Sequence, residues 1–279
     1  MPEGDTIFRS ARTLNQALAG RVVTAFRTAL PALQRVHDDH SLVGRTVVGA
    51  RSVGKHLLVE FSGGLVLRTH MRMSGSWHLY RPGERWRRAP AAMRVVVATD
   101  AFVAVAFDVP VAEFIAACDL GRHAGLRALG PDLLGDAFDP AGAATRLRAS
   151  PEREVGDALL DQRLVAGIGN VFKSEILFAC GIHPFRPVAS LAPAEAETLM
   201  RTARDQLRAN VIEPSRLAAP FLVAGRRTTH RMDPAARLWV YGRSGRPCRR
   251  CGAAIQYRKQ GADARGTYWC PACQQSRPG

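Results

Sequence analysis

Residues 248–273, CRRCGAAIQYRKQGADARGTYWCPAC, decide how the last part of the chain folds. Cys248, Cys251, Cys270 and Cys273 fall in a C-x2-C-x18-C-x2-C pattern. Two such pairs flanking a short hairpin place four thiolates around one zinc ion, as in a zinc ribbon. Four cysteine ligands leave no open position for a substrate, so the expected role of this single zinc is structural. Disulfide bonding is the competing reading. It is disfavoured because the N-terminus shows no basic-then-apolar leader, which points to an intracellular chain. Cys118 and Cys180 stand alone in apolar surroundings and are expected to be buried bystanders.

The ribbon is also basic. From Tyr241 to the end there are eight Arg or Lys and one acid, Asp263, within a chain of net charge +15. Such a balance favours a polyanionic partner. Only three of the 39 basic residues are Lys: Lys55, Lys173 and Lys259. Arginine offers phosphate a rigid fork of donors, whereas lysine keeps an amine that can transfer a proton. Lys173 and Lys259 are expected on the surface. The longest apolar runs, such as Val95–Ala98, are too short to cross a bilayer, so no membrane partner is expected.

Working back from the ribbon, residues 150–216 read as helical, with segments at Val155–Leu164, Asn170–Cys180 and Pro193–Val211. A tight Gly167-Ile168-Gly169 turn precedes the second. Gly130-Pro131-Asp132 and Gly135–Pro140 break the pattern and mark a boundary. Between Arg21 and Phe107 short β-rich runs alternate with turns: Val22-Val23, Thr46–Val48, Leu57–Phe61, Leu65–Leu67, Met93–Ala98 and Phe102–Phe107. Ser62-Gly63-Gly64 and Thr99-Asp100 look like hairpin connections. Ahead of them Ile7, Ala11, Leu14, Ala17 and Leu18 recur at helical spacing, predicting an amphipathic helix over 5–19 ended by Gly20. The fold class expected is α+β: an N-terminal helix with an antiparallel β-sandwich (1–130), a helical domain (131–236) and a zinc ribbon (237–279).

The chain opens MPEGDT, and Pro2-Glu3 has two readings. Pro is tolerated in the first turn of a helix, where Glu3 would complement the helix dipole. Alternatively, removal of Met1 exposes a secondary amine. An α-amino group titrates near ~8 against ~10.4 for Lys, so far more of it is an unprotonated nucleophile at neutral pH. Attack of that amine on an aldehyde gives a cationic iminium, with Glu3 placed to shuttle protons.

Four segments in order decide between them: MPEG, Gly54-Lys55-His56-Leu57-Leu58, Ala166-Gly167-Ile168-Gly169-Asn170, and the ribbon ending Tyr268-Trp269-Cys270-Pro271-Ala272-Cys273-Gln274. Together they resemble the bacterial formamidopyrimidine-DNA glycosylase/endonuclease VIII family across essentially the whole chain. The resemblance implies a β-sandwich, a helix–two-turns–helix domain and a zinc ribbon. It also implies a bifunctional DNA glycosylase and abasic-site lyase of base excision repair. Pro2 would attack C1′ of the damaged nucleotide, and Glu3 would donate and accept protons. Lys55 matches a β-hairpin lysine that contacts phosphate and assists proton transfer. Asn170 matches a phosphate-binding asparagine at a helix N-terminus; a plain N-cap is the alternative reading there. Arg265 matches a hairpin arginine that grips phosphates and helps the second elimination. Thr69–Trp77 matches the loop that fills the gap left by a flipped base, with Met73 as wedge and Arg72 reading the opposite strand. Packing in the core is the alternative for these methionines. Arg127 stands one residue out of register with a DNA-contacting arginine. Arg226–Arg237 would cap the flipped base.

MPEGDT is closer to the endonuclease VIII branch than the MPELPE of the oxidised-purine enzymes, which implies oxidised pyrimidines as substrates. Met71–Gly75 is near the purine branch's loop. The expected partner is double-stranded DNA carrying damaged bases or abasic sites, bound by a monomer in the cytoplasm at the bacterial nucleoid. A non-catalytic zinc-ribbon protein recognising damaged DNA is the alternative; it would need the ribbon and the Gly-Ile-Gly-Asn turn, but not Pro2, Glu3 and Lys55 together. An RNA-binding protein is disfavoured by the low aromatic content, 7%.

Overall fold

A computed structural model describes residues 2–211, 228–229 and 236–275. Two compact units divide the chain, Met1–Ala128 and Leu129–Gly279.

The first unit begins with α1 (Gly4–Leu18), whose buried face carries Ile7, Ala11, Leu14, Ala17 and Leu18, the positions that the spacing selects. Burying each large side chain contributes roughly 1.5–3 kcal/mol, so packing holds this helix more than intrinsic propensity does. Gly20, at φ +79°, turns the chain out of it. Then come β1 (Ala25–Thr28), α2 (Pro31–Asp39), β2 (Val47–Val53), β3 (His56–Phe61), β4 (Leu65–His70), β5 (Ser76–Tyr80), β6 (Met93–Ala98), β7 (Val103–Phe107), β8 (Val111–Ala116) and the short α3 (Ala124–Arg127). The strands form two four-stranded antiparallel sheets, ordered β1-β6-β7-β5 and β2-β3-β4-β8. Phe26 of β1 meets Phe114 of β8 across the sandwich, with ring centroids 5.7 Å apart. Val95, Val96 and Val97 are all buried because Tyr80, Trp86 and Phe107 cover the outer face of that sheet. A strand buried on both faces reads as a continuous apolar run rather than an alternation.

Several elements were not legible in the sequence. Val22-Val23 is no strand; Val22 makes a single bridge to Thr46, and the strand lies at β1 instead. β5 and β8 run through polar or mixed stretches, and β5 takes up Ser76 and Trp77 from the expected loop. Pro31 sits in the first turn of α2, a position where proline begins helices rather than breaking them.

The second unit repeats that lesson. α4 (Pro140–Arg148) starts at the Pro140 expected to interrupt structure, capped by Asp139, which accepts hydrogen bonds from Ala141 and Gly142 N–H. α5 (Val155–Ala158) is a single turn, not the helix to Leu164 that periodicity predicted. α6 (Asn170–Ala179) and α7 (Pro193–Val211) follow, then the ribbon hairpin β9 (Gln256–Gln260) and β10 (Arg265–Trp269). α6 is buried on every side from Asn170 to Phe178. It lies between the helical core, which contains Leu147, Phe172, Leu199 and Leu207, and a smaller core of Phe178, Val240, Ile255, Cys248 and Cys270. Lys173, expected on the surface, is fully buried in this helix. Cys118, expected inside, is exposed, and Cys180 is half-buried.

Candidate active site and nucleic-acid interface

In the first unit, α1 runs antiparallel to β2. Gly20 N–H donates to Val47 O at the start of β2 (2.8 Å), and Asn15 Oδ1 accepts from Ala50 N–H (2.9 Å). The 15 residues of α1 and the seven of β2 are of equal length, about 23 Å each. The N-terminus of α1 therefore lies at the end of the sheet where β2 turns into β3. Pro2 is half-buried and precedes the helix, which begins at Gly4 after the extended residue Glu3. Pro2 thus stands outside the first turn, not at the position that the structural reading of the proline gave it. Glu3 is fully buried; its carbonyl accepts from Thr6 and Ile7 N–H, while its carboxylate makes no capping bond.

Gly54 and Lys55 form the two-residue turn between Val53 and His56, with Gly54 at φ +56°. That sign at the first turn position matches a type II′ hairpin and leaves Lys55 half-buried at the sheet's end. His56 lies opposite His70 in the β3–β4 register, and their rings meet edge to face at 4.8 Å. Both are held neutral. Burial, then the charges of Arg68, His70 and His123, lowers His56 to about 3. Burial, then Arg72 and Lys55, lowers His70 to about 4. His70 Nδ1 accepts from Arg72 N–H (3.1 Å), so its proton sits on Nε2, which remains a donor. His56 Nδ1 is buried without a hydrogen-bond partner among the described residues.

Next to His70 the chain makes the tight loop Met71–Gly75. Gly75 N–H donates to Met71 O (2.9 Å), and a Cβ on Gly75 would stand 2.6 Å from that oxygen, so glycine is required by close approach. Trp77 Nε1 donates to Thr69 Oγ1 (3.1 Å) and ties the loop's two stems. Met71 points into the core at 1% exposure, whereas Met73 is 61% exposed. The core reading therefore holds for Met71 and not for Met73. Arg72 takes φ +50°, a left-handed conformation unfavourable for a residue with a Cβ. Arg127 is exposed at the end of α3. Its N-cap residue, His123, hydrogen-bonds Glu113 (3.1 Å), which also pairs with the buried Arg68.

In the second unit, Gly169 is the N-cap of α6 and Asn170 the first helical residue, one position beyond the N-cap alternative. The turn before it depends on Gly167 at φ +110° and on Gln162, a residue that no motif flagged. Gln162 Oε1 accepts from Gly167 N–H (3.0 Å), and its Nε2 donates to Ile168 O (3.0 Å) and Leu160 O (2.9 Å). Asn170 Nδ2 donates to Gly266 O (2.9 Å), so the helix start and the residue after Arg265 are held together. Arg265 is 42% exposed and lies 3.6 Å from Asp263. Glu175 was also missed. Its buried carboxylate accepts from the N–H groups of Trp239 (2.8 Å), Val240 (2.9 Å) and Tyr241 (2.8 Å) and from Thr228 Oγ1, fixing the chain that leads into the ribbon. Of Arg226–Arg237, only residues 228–229 and 236–237 lie among the described residues.

None of the six cysteines forms a disulfide, and the sulfurs of Cys248, Cys251, Cys270 and Cys273 lie within 4.8 Å of one another. Zn–S bonds of about 2.3 Å in a tetrahedron require S···S near ~3.8 Å. Cys248–Cys273 at 4.0 Å and Cys251–Cys270 at 3.4 Å fit that size. Arg250 N–H points at Cys248 Sγ and Cys273 N–H at Cys270 Sγ, each at 3.4 Å, as thiolates require.

Comparison with known proteins agrees along the chain. Residues 1–110 match the formamidopyrimidine-DNA glycosylase N-terminal domain, 129–217 its H2TH domain, and 245–275 the zinc finger found in FPG and IleRS. "Probable endonuclease 8 2" of Streptomyces coelicolor is 44% identical over 285 residues, covering 100% of this chain and 97% of its own. The "DNA-(apurinic or apyrimidinic site) lyase Nei2" of Mycolicibacterium smegmatis is 38% identical over 98% of this chain and 99% of its own. Among solved structures, Lactococcus lactis formamidopyrimidine-DNA glycosylase bound non-covalently to DNA containing an abasic site superposes with a TM-score of 0.81. It is 25% identical, over 99% of this chain and 100% of its own.

Proposed function

The chain belongs to the formamidopyrimidine-DNA glycosylase/endonuclease VIII family and is a DNA glycosylase and abasic-site lyase; from that premise we propose that it removes oxidised pyrimidines through the amine of Pro2. The observation that carries the assignment is the gathering of a half-exposed Pro2, a buried Glu3, the Lys55 turn and the Met73 loop at one end of one sheet. The Pro2 nitrogen forms a bond to C1′ as the glycosidic bond breaks and the base leaves. Glu3 gives a proton to the sugar oxygen as the ring opens to an iminium. It later takes one as the 3′ phosphate departs. Lys55 holds the neighbouring phosphate, and His70, at the same end of the sheet, offers its Nε2–H as a second donor.

Met73 is the side chain that fills the gap in the stack, and Arg72 addresses the opposite strand. Asn170 and Arg265 grip the backbone flanking the lesion, with Arg265 assisting the second elimination, and Arg127 adds an outlying phosphate contact. The four cysteines hold one structural zinc, which fixes the hairpin that carries Arg265. Division into catalytic (1–130), helical (131–236) and ribbon (237–279) domains is part of the same proposal. So are its action as a monomer and its place on the bacterial nucleoid in the cytoplasm. No helix among the described residues is long and apolar enough to cross a membrane.

Borohydride trapping on duplexes containing thymine glycol, 8-oxoguanine or an abasic site tests the assignment with wild type and Pro2→Gly. A wild-type covalent adduct that the variant loses, strongest on thymine glycol, is the expected result. Binding without any adduct would instead favour a non-catalytic damage-recognition protein.

A further inference from the structure

Lys173 is one of three lysines in the chain and is completely shielded from solvent. A flexible four-carbon stem with a strongly hydrated head is an unfavourable core residue unless its nitrogen meets acceptors. In α6 it does. Lys173 Nζ donates to Thr267 Oγ1 at 2.6 Å and to Gly266 O at 3.4 Å. Both acceptors lie on β10, directly after Arg265. Gly266 O is shared with Asn170 Nδ2, so one carbonyl is gripped by two side chains a helical turn apart on α6.

From Thr267 the contacts run further into the interior. The Thr267 hydroxyl donates to Gln260 Oε1 (2.9 Å), and Gln260 Nε2 donates to Glu154 Oε2 and Pro184 O (both 2.9 Å). Gln260 is opposite Arg265 in the hairpin register. A Cβ on Gly156 would stand 2.5 Å from Gln260 Oε1, so the helical part closes tightly on the hairpin there. Both strands of the hairpin are thereby seated at the level of Arg265, which is itself partly exposed.

We infer that Lys173 is a positioning residue for the lyase reaction: through Gly266 and Thr267 it sets where Arg265 stands relative to Asn170, so that both address the same stretch of phosphates. This rests on the proposed role of Arg265. A methionine or leucine at 173 would fill the space, but it would leave the buried Thr267 hydroxyl without its donor and Gly266 O with Asn170 alone, and the hairpin would shift in response. Displacement of a contact group by ~1 Å is enough to slow a step by ~10-fold to ~100-fold.

The test is a double-mutant cycle on a duplex containing an abasic site, scoring the ratio of second-elimination to first-elimination product over time. Lys173→Met and Thr267→Val break the same contact from opposite sides, and Arg265→Ala removes the group it positions. The expected result is a ratio lowered about tenfold in each single variant and no further loss in Lys173→Met/Arg265→Ala, because neighbours that act through one group are not additive. Base release from thymine glycol, zinc content and Tm are followed in parallel. A general loss of folding would lower all of them and would add to the effect of Arg265→Ala. Wild-type product ratios in both Lys173→Met and Thr267→Val, with Arg265→Ala impaired, would overturn the inference alone. A wild-type ratio in Arg265→Ala would overturn the role of Arg265 and the inference with it.

Discussion

The end of the sheet that carries Pro2 and the junction between α6 and the ribbon are built on opposite principles. At the first, each functional group rides on a short local device: an extended residue before a helix, a two-residue turn, a five-residue loop closed by Gly75. At the second, the groups are held by buried polar side chains that join residues 53 to 106 positions apart, such as Glu175 to Thr228 and Gln260 to Glu154. Reactive groups must reach substrate and so sit where the backbone alone can place them. Apart from Asn170, the groups that hold the ribbon need never touch DNA, and burial strengthens their hydrogen bonds. Damage to the junction should therefore disorder a region, whereas damage to the sheet end should change chemistry and leave the fold intact.

The largest effect expected is at the metal. Cys270 is fully buried, and Cys270→Ala or chelation of zinc should unfold the ribbon. DNA binding and strand cleavage should be lost while the sandwich keeps its own melting transition in calorimetry. Survival of tight DNA binding without zinc would break the contrast. Next, Glu175→Ala should cost about 3–5 kcal/mol, because it strands the buried Val240 N–H and Thr228 hydroxyl and the part-buried N–H groups of Trp239 and Tyr241. Urea denaturation of the variant measures this, and a loss below about 1 kcal/mol would show that the carboxylate is not the clamp.

Acid should act on the sheet end. His56 and His70 have folded values of about 3 and about 4, below the ordinary 6.5, so the unfolded chain binds more protons in that window. Their contribution to stability is therefore complete above pH 6.5 and declines as pH falls towards 4 and then 3. For the well-buried His56, between 6.5 and about 3, this amounts to about 5 kcal/mol. His56→Gln should flatten the fall in urea midpoint between pH 6.5 and 4 relative to wild type; an unchanged profile would contradict the pair's role. The smallest effect on stability belongs to Met73→Ala, within about 0.5 kcal/mol of wild type because the side chain is exposed. It should nevertheless slow base release from duplex DNA about tenfold while leaving cleavage of a single-stranded abasic site nearly unchanged, since no gap needs filling there. Equal losses on both substrates would remove the wedge role.

Legibility followed the same division. MPEG, the Gly54-Lys55 turn, Met71–Gly75 and the paired cysteines are short, contiguous signals; the last three lie in a turn, a loop and a four-sulfur cluster, and MPEG leads directly into α1. α1 and α7 were legible because their apolar periodicity is unbroken. α2 and α4 were not, because Pro31 and Pro140 read as breaks when each begins a helix. β5 and β8 escaped because their residues are mixed, and burial by the neighbouring sheet overrides their weak propensity. Gln162 and Glu175 gave no signal at all, and the contacts of Lys173 gave none either. Their partners are distant in sequence, and a polar residue within a helix looks the same whether it faces water or a buried acceptor. The scarcity of lysine was the one available clue to Lys173, and it was assigned to the surface on composition.

The central claim is that the N-terminal proline is the nucleophile. Its most direct test is to reduce the wild-type complex on thymine glycol DNA with borohydride, digest it with trypsin and nuclease, and locate the residual sugar by mass spectrometry. The expected result is a mass increment confined to the peptide beginning Pro2-Glu3-Gly4, with Met1 absent. An increment on the peptide carrying Lys55 or Lys173, or on no peptide at all, would contradict the account.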